Sequence, residues 1–236
     1  GHEGLIPSKW VEQAVGGKVV AGSVPRVKFD FDNYLKYLER ELVKTEESCD
    51  LTVQLGAKVE PEQLKALGFD AIVFAIGTKP CAARLPGLDK IPHAEAVDLL
   101  LDPKLLNGAK NIVVVGGGVV GCETAYYLAY EHGRDVTVVE MLPHFMEGSC
   151  TANRGHLIHY LKKAGVKLLN CAKVTGFDER HVLVEQNAHR NVPDPYNTWQ
   201  PILPENIENP LAAKAGSVPV QKALEADLVV LAIGGK

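Results

Sequence analysis

Unbroken apolar runs rich in β-branched residues alternate along this chain with stretches whose apolar side chains recur at helical spacing. That alternation predicts an α/β fold on a parallel sheet, with strands buried on both faces. Buried-type strands are expected at Ala71 to Ile76, Ile112 to Val115, in "VTVVE" at 136–140 and in "ADLVVLAIG" at 226–234, with further strands in "LTVQL", "VKLLN" and "HVLVEQ". Behind Asp30, placed to cap a helix, Phe31, Tyr34, Leu35, Leu38 and Leu42 form a stripe expected in a core. Lys36, Glu39, Arg40 and Glu41 form its solvated face. Shorter helices are expected over Pro61 to Leu67 and His156 to Ala164.

Two of the strands end alike, in Ala75-Ile76-Gly77 followed by Thr78 and in Ala232-Ile233-Gly234. They bracket residues 111–140, so both are expected to cross between two nucleotide-binding domains, with a boundary near Gly108. A segment from Asn187 to Val218, with prolines at 193, 195, 201, 204 and 210, is long for an irregular excursion and reads as an interface, a lid or a surface loop.

Residues 111–140 form one strand–turn–helix–strand unit with glycines 116, 118 and 121 in the G-x-G-x-x-G spacing. Gly116 permits the tight turn and Gly118, next to Gly117, removes the Cβ that would block a pyrophosphate. Gly121 lets the helix lie close on the sheet, a contact continued by Ala125. The N–H groups of Val119 and Val120 and the helix dipole would meet the pyrophosphate charge without a basic side chain. Glu140, followed by Met141, ends the second strand about two dozen residues after the first glycine, where a carboxylate takes the ribose hydroxyls. A 2′-phosphate about 4 Å away would be repelled by roughly 1–4 kcal/mol. No arginine lies within Met141 to Met146, so NADH is expected over NADPH. Glu123, read alone, is a first-turn acid favoured by the dipole.

Composition narrows the field. A formal charge of −4 with scattered cations excludes a nucleic-acid footprint, and no apolar segment approaches the length of a membrane span. A cytoplasmic protein is expected. The five cysteines are an odd number with no C-x-x-C spacing, so no disulfide framework, zinc site or iron–sulfur cradle is indicated. His156 and His159 share a helix face without a third ligand nearby, and no metal site is expected.

The motifs "GGKVVAGSVP" at 16–25, "AIGTKP" at 75–80, "GGGVVGCETA" at 116–125, "VTVVEM" at 136–141 and "ADLVVLAIG" at 226–234 resemble the flavoprotein portion of the enoate reductase, 2,4-dienoyl-CoA reductase and trimethylamine dehydrogenase group of NADH:flavin oxidoreductases. Within the 187–218 insertion, the stretch "VPDPYNTWQPILPENIENPLA" is especially similar to the clostridial-type enoate reductase branch. The resemblance implies a two-dinucleotide-binding fold in which NADH reduces FAD. Electrons then pass through an iron–sulfur cluster to FMN in a separate barrel, where an activated carbon–carbon double bond is reduced. It further implies that Glu123 lies near the nicotinamide, that Ala75, Gly77, Thr78, Ala232 and Gly234 approach the flavin, and that Gly16 and Gly17 lie along FAD.

On that resemblance residues 1–106 are an incomplete FAD-type domain with a crossing segment, and 107–236 an NADH-binding Rossmann domain. A first glycine fingerprint, a cysteine cluster and the barrel are missing from the sequence, so the chain reads as a piece of a longer protein. Its partners would be the FMN barrel and the rest of the FAD domain, and a homo-oligomer is compatible with it. Two other readings are a non-enzymatic dinucleotide-binding module and a disulfide-reductase-like flavoprotein, the latter requiring a redox cysteine pair.

Overall fold

The computed structural model describes residues 15–57, 59–81, 84–187, 192–199 and 219–235. The chain forms two units, one running to Lys79 and taking in Leu100–Pro103, the other comprising Pro80–Leu99 and the chain from Lys104 onward. The sequence placed a break near Gly108. Strand β1 (His93–Glu95) pairs in parallel with a strand at the far end of the chain, which draws the residues around it into the second unit.

The first unit is helical, with α1 (Lys18–Gly22), α2 (Phe29–Ser48) and α3 (Pro61–Ala66). Because α2 begins at Phe29, Asp30 lies in its first turn, still favourable at the positive end of the helix, rather than at the cap. The expected stripe is only partly core: Leu35 is buried, whereas Phe31 and Tyr34 are exposed to 41% and 51%. Helix α3 forms where expected, with proline at its first position and the Gln63 side chain accepting the Glu60 N–H at 2.9 Å.

"LTVQL" and Ala71 to Ile76 do not form strands, and Val73 and Ile76 stand 89% and 90% exposed. A strand exists only where a neighbour takes its N–H and C=O groups. Among the described residues of this unit there is no strand to do so.

In the second unit α4 (Ala96–Leu101) starts directly after β1. There follow β2 (Asn111–Val115), α5 (Val119–Tyr126), β3 (Asp135–Val139), α6 (Thr151–Lys163) and β4 (Lys167–Leu169), then β5 (Ala172–Phe177), β6 (His181–Asn187), β7 (Pro219–Glu225) and β8 (Leu228–Leu231). The five parallel strands lie in the order β1-β8-β2-β3-β4, and β5, β6 and β7 form an antiparallel sheet. The chain leaves β2 toward β3 on one side and returns on the other as β8. The order in which strands are laid down therefore reverses at β2, all of them staying parallel, and such switch points open a crevice at the carboxyl ends of the strands.

Register explains why these runs are apolar throughout. Val113 aligns with Val229, and Val115 with Val139 and Leu231, on one face. That face packs against Val174, Phe177, Val182 and Val184 of the antiparallel sheet. The alternate residues Ile112, Val114, Val138 and Val230 are equally buried, and α5 packs against β2, β3 and α6. Each valine so enclosed contributes roughly 1.5–3 kcal/mol of apolar burial. Among the described residues no helix is long and apolar enough to cross a membrane.

Candidate functional site

Gly116 ends β2 with φ +110°, a backbone angle that side chains resist, and a Cβ there would lie 2.4 Å from the carbonyl oxygen of Ala232 just past β8. The two central strand ends are thus in backbone contact at the switch point. A Cβ on Gly121 would lie 1.9 Å from the Gly116 carbonyl oxygen and 3.2 Å from the Ala232 Cβ, so α5 sits against the turn itself. Gly118 differs. It is exposed, has ordinary extended angles (φ −68°, ψ −177°), and a Cβ on it would meet no protein atom within 4 Å. The space above Gly118 is the cradle.

The first bond of α5 runs from the Cys122 N–H to the Gly118 carbonyl at 3.0 Å, which leaves the N–H groups of Val119, Val120 and Gly121 without intrahelical acceptors. Val119 and Val120 are 40% and 49% exposed, so this positive helix end faces solvent beside the cradle. The arrangement suits a pyrophosphate.

Glu140 is held from both sides. The Gly117 N–H donates to one carboxylate oxygen at 2.6 Å and the Leu142 N–H to the other at 2.8 Å. Each oxygen retains a lone pair, so a carboxylate fixed in this way can still accept from two vicinal hydroxyls. Met141 and Leu142 next to it are 65% and 45% exposed, an apolar ledge of the kind an adenine ring covers. Replacing Glu140 with alanine is expected to weaken NADH about tenfold, as loss of hydrogen bonds to a charged group implies, and to narrow its advantage over NADPH. Parallel calorimetric titrations with the two nucleotides check this.

The remaining expected residues are placed as follows. Glu123 lies half-buried in the second turn of α5, because the helix starts at Val119, and so is not the first-turn acid expected from the sequence. In the first unit Gly16 and Gly17 start α1, and the Lys18 ammonium donates to the Thr78 hydroxyl, so the 16–18 loop meets the end of the exposed Ala75-Gly77-Thr78 segment. In the second unit Ala232 adjoins Gly116, and the Cys81 N–H donates to the Gly234 carbonyl at 2.9 Å. Pro80 and Gly235 form an antiparallel bridge, so the chain past the first Ala-Ile-Gly meets the end of the second. His156 stacks on Tyr160 with ring centroids 4.6 Å apart. Among the described residues no three His, Cys, Asp or Glu side chains gather to hold a metal.

Cys122 sits in the first turn of α5, just past the glycine turn, fully buried, and its Sγ donates to the Gly117 carbonyl at 3.4 Å. Burial first, then the Glu140 and Glu123 charges, push its thiol far above the usual range. It stays protonated and is unsuited to thiolate chemistry.

Three residues of the site were not evident from the sequence. Phe145 is fully buried, and a Cβ on Gly117 would lie 2.4 Å from its ring and 2.7 Å from the Glu140 Cβ, which explains the middle glycine of the run of three. Arg154 and Asn170, both buried, donate to the carbonyls of Phe145 and Pro143 in the loop after Glu140. The run of three glycines was the available signal for Phe145. Nothing local marks the other two, because their partners lie far away in sequence.

A family described as pyridine nucleotide-disulphide oxidoreductase matches residues 2–236. The chain is similar to the cinnamate reductase of Clostridium sporogenes, 33% identical over 151 residues, which cover 63% of this chain and 21% of that protein. It is also similar to the NADH oxidase of Thermoanaerobacter brockii, 31% identical over 168 residues that cover 70% of this chain and 25% of the other. The chain thus spans about a quarter of the length of these relatives or less. In a 2-naphthoyl-CoA reductase complex, a matching region covers 95% of this chain and 28% of that one with TM-score 0.69 at 20% identity, a likeness of fold.

Proposed function

We propose, since the chain belongs to the pyridine nucleotide-disulphide oxidoreductase family, that it is the NAD(H)-binding portion of a flavin-dependent oxidoreductase. In the parent protein NADH would pass hydride to FAD, ultimately to reduce an activated carbon–carbon double bond. The observation that carries the nucleotide assignment is the open cradle over Gly118, flanked on one side by the free N–H groups of α5 and on the other by the fixed Glu140 carboxylate.

This chain's own residues bind and orient. The α5 terminus takes the pyrophosphate charge, Glu140 takes the ribose and Met141 and Leu142 lie under the adenine, so the nicotinamide is directed along the switch-point crevice toward Ala232 and Glu123. A flavin, when bound, supplies acceptance of the hydride. Among the described residues of the first unit there is no strand–glycine–helix turn, so these residues do not by themselves fit the FAD pyrophosphate. The double-bond target is supported by the likeness to the cinnamate reductase, cinnamate being an activated alkene, and by the motif resemblance. A disulfide-exchange chemistry is less well supported, since Cys122 is buried and held protonated.

Titration of the chain with NADH, NADPH and FAD tests the reading. Selective NADH binding is the expected result, and absence of any NADH binding refutes the site. NADH oxidation on adding FAD or another acceptor would favour an enzyme over a module that only binds the nucleotide.

A further inference from the structure

Residues 192–199, the described part of the Pro-rich segment, lie along α6 and β4 as a strap. The Tyr196 hydroxyl donates to the Val166 carbonyl at 2.8 Å and accepts the Leu168 N–H at 3.1 Å, filling positions that a further strand would take on the open edge of β4. That contact alone would make the strap an edge cover. Two buried side chains do something else.

Arg154, 3% exposed, sends its Nε to the Phe145 carbonyl at 2.9 Å and its two terminal nitrogens to the Asn197 and Thr198 carbonyls at 3.1 and 3.3 Å. Asn170, 2% exposed, uses its Nδ2 for the Pro143 carbonyl at 2.7 Å and the Pro193 carbonyl at 2.9 Å, while its own carbonyl accepts from Gln186 Nε2 at 3.0 Å. Each residue therefore joins the same two segments, the loop that follows Glu140 and the strap. A buried guanidinium is costly, and a leucine would fill the space more cheaply. An arginine that spans carbonyls on two separate segments, beside an asparagine that spans the same two, is placed to hold them in register.

The consequence reaches the nucleotide cradle through contacts already described. Phe145, whose carbonyl Arg154 holds, packs under Gly117, and the Gly117 carbonyl accepts the Met146 N–H at 2.8 Å. Gly117 in turn donates to Glu140. We propose that the 192–199 strap fixes the adenosine-facing loop 141–147 through Arg154 and Asn170, making both of them positioning residues for the adenosine half of the dinucleotide; this rests on the NAD(H) reading above. The expected signature is selective: the adenosine half of the ligand feels the loss and the nicotinamide half does not.

The test uses the 236-residue chain with Arg154→Met, Arg154→Lys and Tyr196→Phe, titrated with NADH, AMP and reduced nicotinamide mononucleotide, with melting temperatures measured alongside. Arg154→Met is expected to weaken NADH and AMP about tenfold each and to leave the mononucleotide unchanged. Arg154→Lys, which can reach one segment but cannot fork across both, is expected to do the same to a smaller degree and decides the matter if the methionine variant fails to fold. Tyr196→Phe, which loses only the β4 contact, is expected to lower the melting temperature without changing AMP affinity. Unchanged AMP affinity in the Arg154 variants, or equal losses for AMP and the mononucleotide, overturns the positioning role alone. An unsubstituted chain that binds neither NADH nor AMP overturns the nucleotide reading and the positioning role with it.

Discussion

Gly121→Ala is expected to melt lower than the parent chain and to lose most of its dinucleotide affinity. The methyl group would sit 1.9 Å from the Gly116 carbonyl oxygen, and neither atom belongs to a flexible side chain. Relief requires α5 to move off the ends of β2 and β8, which are joined there by the Ala232 N–H to Val115 carbonyl bond of 2.8 Å. Overpacking of this kind costs roughly 1–3 kcal/mol. For a chain of this size that is roughly 2–12 °C in melting temperature. Because the moving part is the helix whose first N–H groups face the cradle, binding falls with stability, by more than tenfold. A Gly121→Ala chain that kept both would mean that the helix is not seated on the turn as described.

Gly118→Val should separate the two effects. Its backbone angles are ones that any residue adopts, and the space its Cβ would enter is empty of protein atoms. The fold therefore has little reason to respond, and the melting temperature is expected to stay within about 2 °C, as for a surface substitution worth no more than about 0.5 kcal/mol. That empty space is where a pyrophosphate must approach the backbone, so NADH affinity should fall about 100-fold, which corresponds to roughly 2.7 kcal/mol. Differential scanning calorimetry with NADH titration gives both numbers on one sample. Retained affinity in this variant would place the pyrophosphate elsewhere.

The contrast between these glycines also shows what the sequence made legible. The strand, glycine turn, helix and closing glutamate of 111–140 could be read because every local preference agrees with the environment there: β-branched runs meet neighbours on both sides, and the glycines meet carbonyls or empty space. Ala71 to Ile76 carries the same apolar signature yet forms no strand and stays exposed, since a run of residues encodes a readiness to pair but not the presence of a partner. The α2 stripe divides for a related reason, with Leu35 meeting Gly16 and Val20 nearby while Phe31 and Tyr34 face outward. Strand β7 was hidden by its polarity, exposed at almost every position and paired on the side of β6. Strand β5 escaped notice because a register shift between Val174 and Gly176 interrupts its alternation. Arg154 and Asn170 were beyond reach altogether, for their value lies in carbonyls from segments 23–44 residues away.

The pairing of β6 with β7 continues to its last rung, Asn187 opposite Pro219. That rung holds both ends of the excursion between them at hairpin distance, whatever the excursion's length. For such a closed loop the entropic cost rises only logarithmically, by about 0.6 kcal/mol for each doubling. Residues can therefore be added to or removed from this segment without altering the ladder that carries it, and the ladder's core face against β2 and β8 is insulated from the change. Trimming residues between the strap and Pro219 is therefore an engineering route expected to leave both that ladder and the nucleotide cradle intact.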